Sequence, residues 1–523
     1  MSDKPLHPLS IYGSHDASIC IKPLPNHYRV YEFERLLKKR NCRLNIEPDF
    51  KQHLITVRDL IKAEYGIEDY GSCFYGQLNN DQLDILKEVF GFNHFEEISH
   101  HLGHAACGLH QSPYDECLVV SSDSGGHEME GWIATFCIYH ANKITGIIKK
   151  IADIPLDVCS PYTLLAIPVK EINKTDVWTK FLTYAGKIMG LVAYGNVRKE
   201  WIEPIKAFYY QSANEESLKQ LGVKIGFDFS DINTIKEQNS YDLATTSQYV
   251  FEELTLNAIK PFVERYKIPV VLTGGGALNV LMNQSFRNII NNPVFVPVNP
   301  NDCGLSFGFM ALRNPPSQTV NISYNGFGIL DINELPDYVQ KYNAQETDLK
   351  ELARLICKVK IIGVIRGNIE VGARALGNRS IICDPSISKM KDKINKIKNR
   401  EWFRPFAPVV KEEDVNKYFH FDGDSKYMTY APIVQQKYIK KIPSVVHHDH
   451  TARIQTVTKD QNEFLYNLID YVETINGTGV LLNTSFNIKG NPILTTIKDA
   501  LEVLETTQLD YVYCEGYLFE KKK

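Results

Sequence analysis

The sequence lacks the features that mark several specialised classes of protein. No run approaches ~18 apolar residues, so we expect no membrane span. Neither sign of charge is in excess, because 58 Lys and Arg stand against 62 Asp and Glu, a formal net charge of −4. Dedicated nucleic-acid binders usually show a strong basic excess. The balance therefore argues against a dedicated nucleic-acid surface.

Closely spaced cysteine pairs and a secretion signal are also missing. The 11 cysteines are dispersed from Cys20 to Cys514 without a C-x-x-C pair, a usage typical of reduced thiols. The N-terminal MSDKPLHPLS has no apolar core of the kind found in signal peptides. We therefore expect a cytoplasmic protein.

What is present is the composition of a folded α/β protein. Apolar residues make up 44% and charged residues 23% of 523 residues, and strand-like runs alternate with helix-like runs. The segment 132–151 predicts a hairpin with Ala141 and Asn142 at its tip, and 511–521 predicts one strand. The pattern weakens between 314 and 350, which contains two adjacent prolines, so we expect two domains, 1–345 and 346–523.

Two histidines and two acids have the spacing of a metal site. His100 and His104 lie four apart on a predicted helix, which puts both imidazoles on one face. His101 lies three residues before His104, so spacing alone leaves the register open. Asp123 ends an apolar strand and Asp302 precedes a helix. Two His and two carboxylates would suit Fe(II), Zn or Mn.

Glycine-rich turns follow predicted strands. The segment VVLTGGGALN at 270–279 runs from an apolar strand through three glycines into a helix, a pattern that lets backbone amides approach a phosphate. YGSHDAS and SSDSGGHE form two similar turns. Together they favour a nucleotide held between two subdomains, as in actin-like folds, although a single GGG is equally typical of a tight turn.

A basic cluster lies in the C-terminal part. RGNIEVGARALGNRS at 366–380 is followed by KIKNREWFRPFAP, and arginines alternate there with Gly, Pro and aromatic residues rather than with Glu and Lys. Arginine forks bind phosphate oxygens in pairs, so this composition favours an anion site over a solvated charged face.

Several of these motifs occur together in one known family. HHLGHAA, SSDSGG, GKIMGLVAYG, LTGGGALN, NPNDCGLSFG, EVGARALGNRSI, NREWFRPFAP, HTARIQTV and LLNTSFNIKG appear in the family's order between residues 9 and 520. The chain thereby resembles the ATP-dependent O-carbamoyltransferases of the nodulation-protein, cephamycin and tobramycin type. The resemblance implies a two-lobed actin-like N-terminal domain and a YrdC-like, twisted-sheet α/β C-terminal domain.

The resemblance also implies an activity. The C-terminal domain would form carbamoyl-adenylate from carbamoyl phosphate and ATP, with Mg for ATP. The N-terminal domain would transfer the carbamoyl group to a hydroxyl of a small-molecule acceptor. The metal would normally be iron. The sequence leaves a homodimer open.

Site residues carry over position by position. The metal ligands would be His100, His104, Asp123 and Asp302, which selects His100 over His101, and His15 would deprotonate the acceptor. The residues expected to hold ATP, adenylate or carbamoyl phosphate are Gly274, Gly275, Gly276, Asn279, Arg374, Arg379, Lys398, Arg404, Arg453, Asn483 and Ser485. Of these, Arg374, Lys398 and Arg404 are predicted to be catalytic.

The sequence departs from the family pattern at several positions, so two alternative functions remain open. Ala373 stands where Pro is usual, and Asn368 stands where Arg is common, although Arg366 lies on the same strand face and could replace it. A catalytically inactive nucleotide-binding regulator is one alternative. A threonylcarbamoyl-type tRNA-modifying transferase is the other, and the charge balance and the C-terminal domain speak against it.

Overall fold

The computed structural model describes residues 6–128, 133–172, 181–230, 235–488 and 490–521. The strands of these residues are β1 (His7–Tyr12), β2 (Ser18–Leu24), β3 (His27–Glu32), β4 (Tyr70–Gly76), β5 (His94–Glu97), β6 (Glu116–His127), β7 (Ile133–Asn142), β8 (Ile147–Asp153), β9 (Val270–Thr273), β10 (Val294–Phe295), β11 (Gln345–Glu346), β12 (Ile362–Ile365), β13 (Arg379–Cys383), β14 (Ala407–Lys411), β15 (Gln455–Val457), β16 (Leu481–Ser485), β17 (Tyr511–Cys514) and β18 (Tyr517–Glu520).

Helices cover the sheets and connect them. They are α1 (Phe33–Leu36), α2 (Phe50–Tyr65), α3 (Asn80–Phe90), α4 (His100–Gln111), α5 (Cys159–Leu164), α6 (Tyr184–Leu191), α7 (Lys199–Tyr209), α8 (Glu215–Ile225), α9 (Gln238–Tyr266), α10 (Val280–Ile289), α11 (Leu305–Arg313), α12 (Leu335–Tyr342), α13 (Leu349–Cys357), α14 (Met390–Ile397), α15 (Val415–Tyr418), α16 (Glu463–Asn476) and α17 (Ile497–Thr506). Among the described helices, none is both long and apolar enough to cross a membrane.

The N-terminal part contains one sheet topology twice. The first sheet has the order β3-β2-β1-β4-β5, and the second has the order β8-β7-β6-β9-β10. In each, three antiparallel strands are followed by two strands that run parallel to the first. Two lobes with the same strand order confirm the predicted two-lobed actin-like domain, although the sequence shows no internal repeat.

Helices α4 and α11 cross between the two sheets. Their backbones touch at glycines, because a Cβ on Gly308 would lie 2.1 Å from the carbonyl oxygen of Gly103. Leu109 of α4 packs with the second sheet, and Phe309 of α11 packs with the first. This close crossing brings the N-terminal end of α4 next to the residues that precede α11.

The C-terminal part is built on a third, mixed sheet of order β11-β18-β17-β12-β13-β16-β14-β15. Along β12 and β13, side chains alternate between two cores. Val364 and Ile382 pack with α13 and α16, whereas Ile365 and Ile381 pack with α14. The sheet therefore separates two faces of this α/β domain. Strand β11 joins the sheet by pairing with β18, close to the predicted boundary at residue 345.

Two element predictions were wrong in detail. The hairpin of β7 and β8 turns at 143–146 rather than at Ala141 and Asn142, and Gly146 there has φ +68°. Trp132, which the prediction included, lies outside the described residues. The predicted single strand 511–521 is a hairpin, because Glu515 and Gly516 adopt φ of +43° and +94° and reverse the chain.

Candidate functional site

The four predicted metal ligands converge at the crossing of α4 and α11. His100 and His104 lie one turn apart on α4, Asp123 lies on β6, and Asp302 begins the 3-10 turn Asp302–Gly304 before α11. One ligand atom from each residue lies within 4.8 Å of the others, and all four residues are buried. The crossing helices therefore assemble a 2-His, 2-carboxylate cluster from three separate parts of the chain.

The distances suit a shared cation. Nε2 of His104 lies 3.1 Å from Nε2 of His100, 3.4 Å from Oδ1 of Asp302 and 3.6 Å from Oδ2 of Asp123. Oδ1 of Asp302 has no hydrogen-bond partner among the described residues. A buried carboxylate oxygen without a partner is costly. The donor set and this oxygen fit a divalent first-row metal.

The pKa values of these residues are shifted because the groups are buried close together. Burial raises the pKa of Asp123, and the charge of Asp302 adds to that shift. Burial also lowers the pKa of His100 well below its usual value. For Asp302, burial alone would raise the pKa, but the facing imidazoles, first of all His15, hold it below its usual range.

His101 lies on another side of α4. Its Nδ1 is 2.7 Å from Oγ of Ser121, and its Nε2 is 2.9 Å from the carbonyl oxygen of Ala134. Both ring nitrogens are thus occupied within the second lobe. This geometry favours the register in which His100 and His104 are the ligands.

His15 and Tyr12 both contact Asp302. Nε2 of His15 lies 3.3 Å from Oδ2 of Asp302, and Nδ1 lies 3.5 Å from Oδ2 of Asp16. Burial lowers the pKa of His15, but the carboxylates, Asp302 first, raise it to about 10. The hydroxyl of Tyr12 donates to the same Asp302 oxygen at 2.7 Å. Tyr12 was not predicted from the sequence, where its signal is a phenolic hydroxyl at the end of β1 and at the start of the YGSHDAS segment.

The predicted glycine loop packs tightly against β6. The amide of Gly275 donates to Oδ2 of Asp123 at 2.6 Å. Gly274 has φ +81°, and a Cβ there would lie 2.1 Å from the carbonyl oxygen of Ser122; one on Gly276 would lie 2.3 Å from the Ser122 hydroxyl. Close packing thus accounts for Gly274 and Gly276, and Gly275 positions Asp123, one of the predicted metal ligands.

Asn279 caps α10 beside a pocket. Its side chain accepts from the amide of Met282 and forms two hydrogen bonds with the amide of Gln248, at 2.9 and 3.0 Å. Gln248 and Glu252 line a pocket of about 400 Å³ between the second lobe and residues 420–451. The predicted nucleotide loop therefore adjoins a space of the size used for small ligands.

Five cations of the C-terminal part form one cluster. They lower one another's pKa values: burial together with Arg404 lowers that of Arg374 to about 10, and burial with Arg374 and Arg404 lowers that of Arg453. Burial and neighbouring arginines, Arg404 among them, also lower the pKa values of Lys398 and Arg400. Among the described residues, the carboxylate in contact with these cations is Glu401, 3.7 Å from Arg404, and it also faces Lys187. Such an excess of half-buried positive charge is typical of a site for phosphate groups.

The loop that carries Arg374 is held by side chains rather than by strands. Oε1 of the buried Glu370 accepts from the amides of Leu376, Asn378 and Arg379 at 2.7, 2.7 and 3.2 Å. Gln455 donates to the carbonyl of Leu376 at 3.1 Å. Sequence analysis missed Glu370, although a lone acid within an Arg- and Gly-rich segment is the signal that marks it.

Two predicted ligand-binding residues contact the backbone of this loop. Arg379 is 0% exposed, and its guanidinium donates to the carbonyls of Arg366, Gly367 and Asn378. Asn483 is also fully buried and donates to the carbonyl of Ala375 and to Gln455. Backbone carbonyls engage both terminal nitrogens of the guanidinium, whereas its Nε has no partner among the described residues. These contacts show that Arg379 and Asn483 hold the backbone of this loop, and their predicted ligand contacts stay predictions.

Lys398 and Ser485 do lie together. Nζ of Lys398 donates to the backbone carbonyl and the hydroxyl of Ser485 and to Oδ1 of Asn487, the last at 2.6 Å. Arg366, suggested as a replacement at position 368, turns away from the cluster: it donates to Asn378 and lies 4.6 Å from the ring centre of Phe464.

The predicted metal ligands and the loop that carries Arg374 adjoin each other. A Cβ on Gly372, two residues before Arg374, would lie 2.6 Å from the carbonyl oxygen of Val298 and 3.2 Å from Asn299. Val298 and Asn299 precede Asp302 by four and three positions. Gly372 also donates to Glu32 of the first lobe at 2.8 Å. The two predicted reaction centres are thus linked through a short stretch of backbone.

Comparisons with known proteins assign the family. The carbamoyltransferase N-terminus family matches residues 52–310, and the carbamoyltransferase C-terminus family matches residues 353–521. Uncharacterized protein MJ1051 of Methanocaldococcus jannaschii is 31% identical over 446 residues, which cover 81% of this chain and 83% of that protein. Nodulation protein U of Sinorhizobium fredii is 22% identical over 482 residues, covering 87% and 83%.

Among solved structures, full-length HypF in its phosphate- and nucleotide-bound form matches with a TM-score of 0.35 and 12% identity, over 60% of this chain and 56% of that chain. The two family matches lie in the order expected from the sequence motifs and together span most of the chain. The chain therefore belongs to the carbamoyltransferase family and is a transferase.

Proposed function

We propose that this enzyme is an ATP-dependent O-carbamoyltransferase that activates the carbamoyl group as carbamoyl-adenylate and transfers it to a hydroxyl of a small molecule. The observation that carries the proposal is the cluster of Arg374, Lys398, Arg400, Arg404 and Arg453. Among the described residues, the carboxylate in contact with these cations is that of Glu401. A cluster of this kind is stabilised by the phosphates of two substrates.

The first step consumes carbamoyl phosphate, one water and ATP, the last as its Mg complex. Water cleaves carbamoyl phosphate to carbamate and phosphate. A carbamate oxygen then attacks the α-phosphorus of ATP and displaces pyrophosphate. The cations offset the charge that develops on the phosphoryl oxygens, and the loop held by Glu370 keeps Arg374 in place before the substrates arrive. Lys398, fixed by Ser485 and Asn487, adds a further charge.

The second step transfers the carbamoyl group. The acceptor oxygen attacks the carbamoyl carbon, the bond to the adenylate oxygen breaks, and AMP leaves. The acceptor proton needs a base, and His15 is proposed for it. In the ligand-free chain the carboxylates of Asp302 and Asp16 keep the imidazole protonated, with a pKa of about 10. A divalent cation held by Asp302 would oppose that charge.

His100, His104, Asp123 and Asp302 would hold the metal, iron in the first instance and zinc or manganese as alternatives. The unpartnered Asp302 oxygen and the facing Nε2 atoms support the assignment. When bound, a metal here would supply Lewis acidity toward a carbonyl or phosphoryl oxygen. Tyr12 would orient Asp302 through its hydrogen bond.

The pocket beside Asn279 and Gln248 supports an adenylate site in the N-terminal domain. It has the volume of a small-ligand site, and its lining includes the side-chain amides of Gln248, Gln284 and Asn288. The glycine loop joins it to Asp123, so an adenylate held there would have its carbamoyl end near the metal ligands.

An acceptor screen tests this function. The enzyme is incubated with carbamoyl phosphate labelled at the carbamoyl carbon, ATP, Mg and single candidate hydroxyl compounds, including sugars, nucleosides and polyketides. We expect labelled product and AMP in equal amounts with one class of acceptor, and neither without ATP. Labelled product formed equally well without ATP would overturn the adenylate pathway.

A further inference from the structure

A buried ion pair of the first lobe contacts the loop 370–379, which carries Arg374. Glu32 ends β3, and Arg35 lies one turn later on α1, a spacing that puts both side chains on one side of the chain. Nε of Arg35 lies 2.8 Å from Oε2 of Glu32, and the two side chains are 3% and 8% exposed. An ion pair buried this deeply is costly unless its remaining donors and acceptors find partners.

Those partners are backbone groups of the C-terminal part. The guanidinium of Arg35 donates to the carbonyl of Glu370 and, at 2.5 Å, to the carbonyl of Gly372. Oε1 of Glu32 accepts from the amide of Gly372 at 2.8 Å. The ion pair therefore binds both backbone groups of Gly372, which lies two residues before Arg374.

The same contacts reach the far end of the loop through Glu370. Its backbone carbonyl accepts from Arg35, while its side chain accepts from the amides of Leu376 and Asn378 at 2.7 Å each. Arg374 thus lies between two anchored stretches, one held by the ion pair directly and one held through Glu370. Misplacing a reacting or stabilising group by about 1 Å can cost about 10² in rate, so this anchoring bears on any step that Arg374 accelerates.

The segment that follows α1 lies beside the cation cluster. Burial lowers the pKa values of Lys398 and Arg404, and the nearby charge of Arg40 adds to both shifts. Residues 32–40 of the first lobe therefore border the cluster as well as the loop. The N-terminal domain thus contacts the predicted adenylation site at two places.

We propose that Glu32 and Arg35 are positioning residues for Arg374. Both are buried and act through the loop rather than on a substrate. Formation of carbamoyl-adenylate in the C-terminal domain then depends on the first lobe, the lobe that also carries His15. The inference rests on the proposed function, because it takes Arg374 to act in the adenylation step.

The test compares Arg35→Lys with Arg29→Lys as a matched control. Lysine keeps the charge but lacks the rigid fork with which a guanidinium reaches a carboxylate and two carbonyls at once. Arg29 is also a buried arginine of the first lobe; it pairs with Glu64 and donates to the carbonyl of Gly326 at 2.6 Å. These partners lie outside the loop, so the control carries the same substitution without the proposed role.

The first readout is carbamoyl-phosphate-dependent exchange of labelled pyrophosphate into ATP, with unfolding temperature and metal content measured on each sample. We expect Arg35→Lys to lower exchange by about tenfold or more and Arg29→Lys to change it by less than about twofold. In an Arg374→Ala background, Arg35→Lys should have no further effect, because the residue that it positions is gone. A general loss of structure would instead lower exchange equally in both backgrounds. That result, or unchanged exchange in folded Arg35→Lys, overturns the proposal.

Deuterium exchange of backbone amides adds a readout that needs no activity. Peptides covering 370–379 should exchange faster in Arg35→Lys than in the wild type and at the wild-type rate in Arg29→Lys. Glu32→Gln, which preserves the size of the side chain but cannot accept from both Gly372 and Arg35, should act in the same direction and replaces Arg35→Lys if that variant fails to fold. Wild-type amide exchange in these variants overturns the positioning role. A wild type without carbamoyl-phosphate-dependent pyrophosphate exchange refutes the proposed function instead, so the two failures are distinguishable.

Discussion

The amide of Gly275 donates a hydrogen bond to Oδ2 of Asp123 at 2.6 Å, which joins the loop after β9 to a ligand of the candidate metal cluster. The same loop continues into the cap of α10 at Asn279 and its partner Gln248. A nucleotide at that cap and a metal at Asp123 would therefore share one rigid support. Substitutions in this loop should therefore change how much metal the cluster binds.

Gly274→Ala tests that linkage. Alanine at φ +81° is strained, and its Cβ would lie 2.1 Å from the carbonyl oxygen of Ser122, so β6 and Asp123 must shift. We expect a lower unfolding temperature and a loss of bound metal. Gly66→Ala is the matched control, because Gly66 has φ +67° with nothing within 4 Å and should cost only about 1 kcal/mol. Equal metal content in the two variants, measured by elemental analysis, would count against the linkage.

The metal cluster itself is tested by its histidines. His100→Ala with His104→Ala should remove the ion, because two of its four donors are lost. His101→Asn should instead lower stability and leave the metal, since His101 bonds to Ser121 and Ala134. The measurement is metal per chain after purification in Fe(II)-, Zn- or Mn-containing medium. Metal lost with His101→Asn and retained in the double variant would assign the other register.

Arg453→Met separates function from stability. Burial and its cationic neighbours lower the pKa of Arg453, and its Nε has no partner among the described residues. Replacing a repelled, poorly paired charge with an apolar side chain should raise the unfolding free energy by about 1 kcal/mol. Carbamoyl-phosphate-dependent activity should fall by about 10²–10³. A destabilised variant with normal activity would show that the cluster is structural.

His15→Asn is expected to uncouple the two steps. Asn keeps hydrogen-bonding capacity but cannot take a proton near neutral pH. Adenylation should persist, while transfer to an acceptor found in the screen falls by about 10²–10⁴. Because His15 contacts Asp302, metal content must be measured in the same sample. Equal loss of both steps with metal retained would argue for one shared site.

Local chemistry in the sequence was sufficient to predict much of the site. The i, i+4 histidines, a strand-end Asp and a pre-helix Asp predicted a cluster that the fold does assemble. Tyr12 was missed because its contact with Asp302 joins residues 290 positions apart. The two-lobed topology was expected only through the family resemblance, since strand pairing between distant segments leaves no repeat in the sequence.

In the basic segment, the sequence does not distinguish residues that have different environments in the fold. Arg374 and Arg379 belong to one motif and look equivalent in sequence. The fold distinguishes them: Arg379 begins β13 and donates to backbone carbonyls, whereas Arg374 lies half-buried in the loop before that strand, among other cations. The turn at Glu515 and Gly516, by contrast, carried a readable signal, because a residue followed by Gly between two apolar runs is typical of a tight hairpin.

Exchange of labelled pyrophosphate into ATP tests the central claim most directly, because it requires no acceptor. The account predicts exchange that depends on carbamoyl phosphate in the wild type and is abolished in Arg404→Ala, with Lys393→Ala, an exposed residue on α14, as the folded control. Exchange that proceeds without carbamoyl phosphate, or that survives unchanged in correctly folded Arg404→Ala, would contradict the assignment of the cation cluster as the site where carbamoyl-adenylate forms.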